Sequence, residues 1–466
     1  MQMIERINDL VNSVVWGVPM LILIIGTGIY FSVRLKFFQI FKFKHILKST
    51  IFSKSKNNKN DDKKTLSQFQ AMSTALAATI GTGNIAGVAS AIAIGGAGAV
   101  FWMWISAFFG MMTSFAENVL GVYYRKKNKN GEWSGGAMYF ISEGFKNKKV
   151  GKILSVLFSV FCVLASFGIG NMAQVNSIAV SLNSSFGIPP LVVGIVLTIV
   201  VGFILLGGVK RIGQVAEKIV PFMAVLYIIL TLTVVISNAQ AIPRVFSEIF
   251  KGAFGVSAVA GGISGTLIKE AMTLGFQRGV FSNEAGLGSG VIVNSTSDVK
   301  EPVTQGMWGV FEVFFDTIIV CTLTAFTVLS TGVTSYSDLQ GAALVSEAFS
   351  HVFSSSAGAI VSVSITLFAF TTVLGWSFYG EKCLEYLFGN KAGIIYKIIF
   401  SLMLIVGSTI NLSLAWEISD TLNALMAIPN LIGILVLSGQ VIKITKNYTE
   451  RKFKKKKIEP MISAYK

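Results

Sequence analysis

The chain has 466 residues, of which 53% are hydrophobic and 13% charged, and its mean hydropathy is +0.67. This composition is too apolar for a soluble domain and is typical of a polytopic membrane protein. The net charge of +16 does not indicate nucleic-acid binding, because the basic residues lie in a few loops and the tail, with no aromatic interleaving of the kind that stacks bases. Three scattered cysteines and two histidines give no disulfide framework and no metal-ligand cluster.

Roughly eleven apolar segments are long enough to cross a bilayer, which takes about 20 residues. The first ends at a basic residue and lacks a small-residue cleavage site, so we interpret it as a retained helix and not a signal peptide. The predicted spans are residues 15–33, 67–93, 97–124, 153–182, 190–209, 215–237, 262–294, 303–330, 357–379, 394–412 and 419–442.

The basic loops all fall on one side of the membrane if the N-terminus lies outside. Lys and Arg concentrate in residues 34–64, 125–152, 210–218 and 443–457, whereas the opposite connections 183–189 and 331–356 contain neither. Cytoplasmic loops carry the excess of basic residues. We therefore predict a multi-pass protein of the cell membrane, with its N-terminus outside, its C-terminus in the cytoplasm, and lipid as a partner.

The second span is interrupted by "TIGTGNIAGVAS", residues 79–90. In hydrocarbon every backbone amide and carbonyl needs a partner, so an unwound turn survives only where protein, water or a ligand supplies one. A half-helix that starts at a break favours a carboxylate, and the carbonyls that end the preceding half favour a cation. Tight helix packing is the alternative use of the glycines, but packing does not explain Thr82 and Asn84 beside them.

A second stretch, "FSNEAGLGSG" at residues 281–290, shares the pattern NxAGx(A/G)S with the first. The charge rule makes the second span run outward and the seventh inward, with five spans in each half. Inverted five-plus-five repeats that open with glycine-interrupted helices are typical of secondary transporters. The predicted organisation is an extra N-terminal helix and basic loop (1–66), a first inverted repeat (67–238), an outer connecting segment (239–261), a second inverted repeat (262–442) and a basic tail (443–466).

Five longer motifs carry a family resemblance: "GTGNIAGVASAI", "WSGGAMYFI", "GNMAQVNSIA", "GVFSNEAGLGS" and "TVLGWSFYGEKC". Together they resemble the alanine/glycine:cation symporter family, also called sodium:alanine symporters, from the first span to about residue 442. The resemblance implies an all-α, leucine-transporter-like fold with ten core spans in two inverted repeats after one extra span. It also implies sodium-coupled uptake of small neutral amino acids, chiefly alanine and glycine.

The same resemblance implies a substrate site at the first break. The backbone there would meet the substrate's carboxylate or amine, an amide on the fourth span would face the same depth, and bulky residues on the seventh and ninth spans would wall the pocket. Gly275 and Gly279 would let the seventh span unwind. For the aromatic residues, plain packing or interfacial anchoring is the alternative. The candidate substrate residues are Gly81, Thr82, Gly83, Asn84, Gln174, Met272, Phe276 and Trp376.

Sodium is the predicted co-transported ion, held between the first break and the ninth span as the resemblance implies. Hard cations prefer oxygen ligands, which carbonyls freed at a break and hydroxyls supply. The alternative is that these threonines bond back to carbonyls within their own helix. The candidate sodium residues are Thr79, Thr82, Thr371 and Thr372.

Buried carboxylates leave proton coupling open as an alternative, since intramembrane ionisable residues are expensive and usually functional. Glu312 and Asp316 lie one turn apart and would mark a proton path or a network with Arg278. Glu284 is either functional or a partner for Lys269 or Arg278. An enzyme is disfavoured because no serine–lysine pair, paired aspartates or HExxH motif is visible. A channel is a further, weaker alternative, and no protein partner is predicted.

Overall fold

The computed structural model describes residues 2–52, 65–128, 131–255, 264–410 and 413–463. In this part of the chain the structure consists of helices and connecting loops, with one short hairpin, in which Lys126 pairs with Ser134 and Lys127 with Trp133, and an isolated bridge between Leu66 and Ser297. The first elements are α1 (Gln2–Val15), α2 (Val18–Arg34), α3 (Phe38–Phe41), α4 (Phe43–Ser49), α5 (Gln68–Thr79), α6 (Val88–Gly95), α7 (Gly98–Tyr124), β1 (Lys126–Lys127), β2 (Trp133–Ser134), α8 (Ala137–Gly144), α9 (Lys148–Phe167), α10 (Ala173–Phe186), α11 (Pro190–Leu206), α12 (Gly208–Ser237) and α13 (Ile242–Phe254).

The second half begins at a helix that is broken near its end, as the first half does. Its elements are α14 (Ser264–Asn283), α15 (Gly290–Asn294), α16 (Pro302–Val313), α17 (Thr322–Thr331), α18 (Gly341–Phe353), α19 (Ala357–Phe388), α20 (Asn390–Thr409), α21 (Ser413–Val436) and α22 (Ser438–Lys454). Three π-helical segments, Gly83–Gly87, Gly168–Met172 and Phe314–Cys321, join consecutive helices.

Eight helices among the described residues are long and apolar enough to cross a membrane, and nine if α5 and the segment Gly83–Gly95, bent by 50°, form one span. The other two predicted spans correspond to the shorter apolar helix α11 and to the broken pair α14 and α15. The all-α polytopic class is confirmed, whereas the count of eleven stays a prediction.

The two broken helices run in opposite directions. Leu66, just before α5, pairs with the segment just after α15: its N–H donates to Thr296 O at 3.4 Å and its carbonyl accepts from Asp298 N at 2.8 Å. The first broken helix therefore begins where the second one ends. This is the arrangement that an inverted repeat requires.

The outward faces of α11, α12 and α20 carry large exposed apolar side chains. A contiguous apolar surface of this kind is stable only against apolar surroundings, such as lipid chains. Exposed side chains on these faces include Ile199, Phe203, Phe222, Ile229, Ile236, Ile395 and Leu402.

Candidate functional site

A small central cavity of about 20 Å³ lies where the first break meets α10 with the π-helical segment before it, α14, α19 and α21. A space of this size holds about one water molecule, so the site is narrow in this conformation. The lining residues are Ala78, Thr79, Gly81, Gly83, Ile169, Gln174, Phe281, Glu284, Thr372, Trp376 and Asn423. The structure thus brings Thr79, Gly81, Gly83, Gln174, Thr372 and Trp376 together from the predicted set.

The first break is stabilised by one asparagine. Ile80 adopts an extended conformation (φ −77°, ψ 90°) after α5 ends. The N–H of Gly81 then donates to Asn84 Oδ1 at 2.9 Å, and the N–H of Asn84 donates back to the Gly81 carbonyl at 3.2 Å. Asn84 is fully buried and does not line the cavity. Asn84 therefore stabilises the backbone of the break, while Gly81 and Gly83 line the cavity.

A second polar element comes from the π-helical segment Gly168–Met172, which precedes α10. Such segments frequently occur at functional sites. The Gln174 amide donates from Nε2 to the Ile169 carbonyl at 3.0 Å, and its Oε1 accepts from Thr82 Oγ1 at 3.2 Å. The side chain of Gln174 is therefore fixed by donors and acceptors on both sides.

The helix α19 approaches the break closely enough to exclude even a methyl group. A Cβ on Gly81 would lie 2.5 Å from Thr372 Oγ1, and one on Gly375 would lie 2.6 Å from the Ala78 side chain. Glycine is required where backbones approach in this way.

The two adjacent threonines of α19 point to different places. Both hydroxyls donate to the Phe368 carbonyl, at 2.9 Å from Thr371 and 3.0 Å from Thr372. Thr372 also lines the cavity, whereas Thr371 Oγ1 faces Met223 Sδ on α12 at 3.4 Å. Both threonines thus bond to a carbonyl of their own helix, as the alternative prediction has it. Only Thr372 also lines the cavity. Thr79 is similar to Thr372, since it bonds to Leu76 O and lines the cavity.

The predicted wall residues Met272 and Phe276 lie elsewhere. They line a cleft against α2, whose apolar face includes Val18, Leu21 and Ile25. The expected unwinding at Gly275 and Gly279 does not occur, because α14 continues to Asn283 and these glycines pack closely against Ala99, Trp102 and Ser106 on α7. The helix therefore presents Phe281, five residues further on than Phe276, to the cavity.

Five cavity residues were not among the predicted ligands: Ala78, Ile169, Phe281, Glu284 and Asn423. Asn423 lies on α21, is 1% exposed, and has no hydrogen-bond partner for either amide atom among the described residues. A buried, unpaired amide is costly unless a ligand or water satisfies it. An asparagine in an apolar span was the available signal in the sequence.

A buried carboxylate connects the two breaks. Asp316 Oδ1 accepts from Asn84 Nδ2 at 2.7 Å, and its Oδ2 accepts from Ser282 Oγ and Thr317 Oγ1, both at 2.8 Å. It lies within the π-helical segment Phe314–Cys321. Among the described residues, Arg278 is not in hydrogen-bond or ion-pair contact with Asp316 or Glu312: it lies over the Phe281 ring, and Glu312 accepts from Asn294 Nδ2 at 3.0 Å.

The second break is enclosed by side chains. Glu284, Gly286 and Gly288 all have positive φ angles, of 56°, 95° and 77°. Glu284 accepts from Ser289 Oγ at 2.5 Å, and Asn430 Nδ2 donates both to Glu117 Oε1 at 2.5 Å and to the Gly286 carbonyl at 2.9 Å.

Arg125 secures the far end of this second break. Its guanidinium donates to the carbonyls of Ser295, Ser297 and Val299 at 3.1, 2.6 and 2.5 Å, and it lies 4.2 Å from the centre of the Trp133 ring. Burial lowers the pKa of Arg125 to about 10. A cation suits the carbonyls that end a helix.

A larger space of about 490 Å³, which we call the vestibule, lies next to the central cavity at Thr82. The hydrogen bond between Thr82 and Gln174 lies between the two spaces, because Thr82 lines the vestibule and Gln174 lines the cavity. Vestibule residues include Ala86, Asn176, Ser181, Ala342, Ser346 and Ile365.

Comparison with known proteins assigns this arrangement to a family. The family described as "Sodium:alanine symporter family" matches residues 1–463. The chain belongs to this family. It is 47% identical over 453 residues to a sodium/alanine symporter of Methanococcus maripaludis, covering 97% of this chain and 98% of that protein. It is 38% identical over 456 residues to a probable sodium/glutamine symporter of Bacillus subtilis, covering 97% and 92%.

Among solved structures, a manganese transporter of Eremococcus coleocola shares the fold. The TM-score is 0.51 at 13% identity, over 83% of this chain and 80% of that one. Family membership confirms the predicted resemblance. The protein is a multi-pass membrane transporter for cation-coupled amino-acid symport, and it is not an enzyme.

Proposed function

We propose that this symporter couples the entry of sodium to the uptake of alanine or glycine by alternating access. The observation that carries the proposal is the composition of the central cavity, which places hydroxyl oxygens, a broken helix, two amides and two large aromatic walls around one small space. A helix that starts at a break offers free N–H groups to a carboxylate. The break therefore suits one end of a zwitterion.

The amides of Gln174 and Asn423 suit the other end. Each has an oxygen that can accept from an ammonium group, and Asn423 has both amide atoms without a partner among the described residues. In this proposal the carboxylate lies on the backbone near Gly83, and the ammonium lies towards Asn423.

The walls support a small substrate. Phe281 and Trp376 line a cavity of about 20 Å³, so even alanine requires some movement of side chains. A side chain as long as that of glutamine would need a much larger displacement of both aromatic rings. We therefore propose the methyl or hydrogen side chain of alanine or glycine.

For sodium we propose a position between the first break and α19. The carbonyls of residues 79–82 and the hydroxyls of Thr79 and Thr372 would supply the oxygen ligands that a hard cation prefers. The support is that Thr79, Gly81 and Thr372 line one cavity. Thr371 is not retained, because its hydroxyl faces Met223.

Uptake of alanine into proteoliposomes, driven by a sodium gradient alone or a proton gradient alone, tests the coupling ion. Proton coupling is the second candidate, favoured by the position of Glu284 in the cavity wall. Thr372→Val keeps the shape of the side chain but removes its oxygen. The apparent affinity for sodium in the uptake assay should therefore fall by about tenfold or more, the value of one good ligand. Thr371→Val is the matched control, since both threonines bond to Phe368 O.

Uptake driven by protons alone, or equal effects of the two valine variants, would contradict the sodium assignment. Accumulation of alanine against its gradient separates a symporter from a channel. The predicted orientation is tested with an impermeant thiol reagent: Ser355→Cys should react from outside the cell and Lys457→Cys should not. The three native cysteines are buried and give little background.

A further inference from the structure

A second cavity of about 480 Å³, which we call the basic groove, lies between the segment after α2 and the helix α22. One wall is formed by residues 34–42. The other wall is a single face of α22, because its residues are spaced three or four apart. The basic groove is lined by Arg34, Leu35, Lys36, Phe38, Phe41, Lys42, Ile442, Thr445, Lys446, Thr449, Glu450 and Lys454.

The charge of the groove is largely uncompensated. Five lining side chains are cationic and one, Glu450, is acidic. That carboxylate already pairs with Lys456 at 3.1 Å, and the hydrogen bond from Lys456, with further contributions from nearby lysines, lowers the pKa of Glu450. In the described part of the chain, the ion pairs do not include Arg34, Lys36, Lys446 or Lys454.

The groove also has an apolar half. Leu35, Phe38, Phe41 and Ile442 line it, and the adjoining residues Val33 and Ile40 are 56% and 50% exposed. Phe41 is itself 73% exposed. A site for a free anion would not need this apolar lining, whereas a ligand with both a charged head and acyl chains would.

Both walls begin where a membrane helix ends. The span that includes α2 ends at Arg34, and α22 starts two residues after the span that ends at Val436. The walls are joined by a 3.0 Å contact between His45 Nε2 and Tyr448 Oη and by Lys42 lying over the Phe453 ring. The groove is therefore a fixed feature at the boundary between hydrocarbon and water.

The tail of the chain does not fill the groove in the described residues. Residues after α22 fold back along a different face of that helix, where Asn447 Nδ2 donates to the Glu459 carbonyl and Met461 N donates to Asn447 Oδ1. The face that carries Lys446 and Thr449 stays open.

We propose that the basic groove binds an anionic phospholipid, with its phosphate among Arg34, Lys36 and Lys446 and its acyl chains over Phe41 and Ile442. Basic clefts at the cytoplasmic ends of spans are suited to such headgroups. The proposal does not depend on which amino acid or ion is transported, because the groove is separate from the central cavity.

The test is native mass spectrometry of the full chain in detergent, with phosphatidylglycerol or phosphatidylcholine added. Each basic side chain near an anionic headgroup contributes about fivefold to affinity, so the triple variant K36Q/K446Q/K454Q should bind phosphatidylglycerol about 100-fold more weakly. The control K443Q/K455Q/K457Q removes the same charge outside the groove and should stay within about threefold of the parent.

Equal losses in the two triple variants would overturn the proposal, as would equal retention of phosphatidylcholine and phosphatidylglycerol by the parent. Binding of glycerol phosphate as tight as that of the lipid would show an anion site without acyl recognition, which also overturns it. If the groove triple variant does not fold, K446Q alone should lose about fivefold in affinity. No loss in K446Q, measured with unchanged thermal unfolding in lipid-free detergent, overturns the assignment.

Discussion

The two broken helices carry the same short motif and use it in opposite ways. The first break has one extended residue, Ile80, followed by a π-helical turn, and none of its residues has a positive φ. The second has three left-handed residues and is enclosed by Glu117, Asn430 and Ser289. The first break is held by one side chain, Asn84, and places Gly81 and Gly83 at the cavity. The second break contributes only the Glu284 side chain to the cavity and is held by several side chains.

The comparison teaches that a repeated sequence need not mean a repeated role. We expect mutations at the second break to lower the free energy of unfolding, and mutations at the first to lower affinity for the substrate. Asp316 is the exception, because it contacts both breaks through Asn84 and Ser282.

Asp316→Ala should have the largest effect. It removes the carboxylate that accepts from three buried donors, on Asn84, Ser282 and Thr317. Asn84 and Ser282 keep only longer contacts, to the carbonyl of residue 316 and to Cys321 Sγ. At about 1 to 3 kcal/mol for each lost acceptor, we expect the free energy of unfolding to fall by about 4 kcal/mol. The measurement is thermal unfolding in detergent, followed by size-exclusion chromatography. Asp316→Asn keeps one acceptor oxygen and should lose less than half as much; an alanine variant as stable as the parent would contradict the linking role.

Gly286→Ala should destabilise the second break by about 2 kcal/mol, because an L side chain at its φ of 95° is strained. Gly83→Ala is the matched change at the first break, where φ is not positive and the nearest atom to a Cβ, on Phe281, is 3.2 Å away. We expect Gly83→Ala to keep its unfolding temperature and to lose alanine binding. Equal destabilisation by the two variants would remove the distinction between the breaks.

Asn423→Ala should weaken alanine binding by about tenfold, the value of one hydrogen bond to a charged group. It should not lower stability, since neither amide atom is paired among the described residues. Binding is measured by isothermal titration. Asn430→Ala is the counterpart at the second break and should lower stability, because it removes donors from Glu117 and Gly286 O. A stability loss in Asn423→Ala with unchanged affinity would reverse the assignment.

Thr82→Val should have the smallest effect. It removes the hydrogen bond to Gln174, worth about 1 kcal/mol, so dissociation of alanine towards the vestibule should be about fivefold faster. Stopped-flow exchange of labelled alanine is the measurement. A slower release would mean that this contact does not separate the two spaces.

Part of this site was predictable from sequence, because the breaker residues and the polar residues beside them are local signals. The break at Gly81 and Gly83 was found in this way, whereas Gln174 and Trp376 were implied by the family resemblance; all four line the cavity. The family and the all-α fold were also predictable, since several long motifs in order are specific. The opposite directions of the two broken helices were predicted from loop charge, the shared motif and the number of spans together.

The remaining residues depend on helix phase and on distant packing. One residue is about 100° of rotation on a helix, which is enough to turn Thr371 towards Met223 while Thr372 faces the cavity. Which phenylalanine lines the cavity depends on where α14 ends. Packing against α7 keeps α14 helical to Asn283, so Phe281 and not Phe276 reaches the cavity. Asn423 arrives from a span about 340 residues away from the first break, and no local pattern shows that approach.

The cavity is closed by contacts of unequal strength, and this inequality affects how often each closure opens. Towards the vestibule lies a neutral hydrogen bond between Thr82 and Gln174, a contact that thermal motion breaks often because it is worth only about 1 kcal/mol. At the second break, the hydrogen bonds of Glu117, Asn430 and Arg125 hold the backbone, and we expect an opening there to break several of them. We therefore expect the vestibule side to open many times for each opening at the second break. The side from which the substrate is bound first would then be set by the empty protein, before any ligand is present.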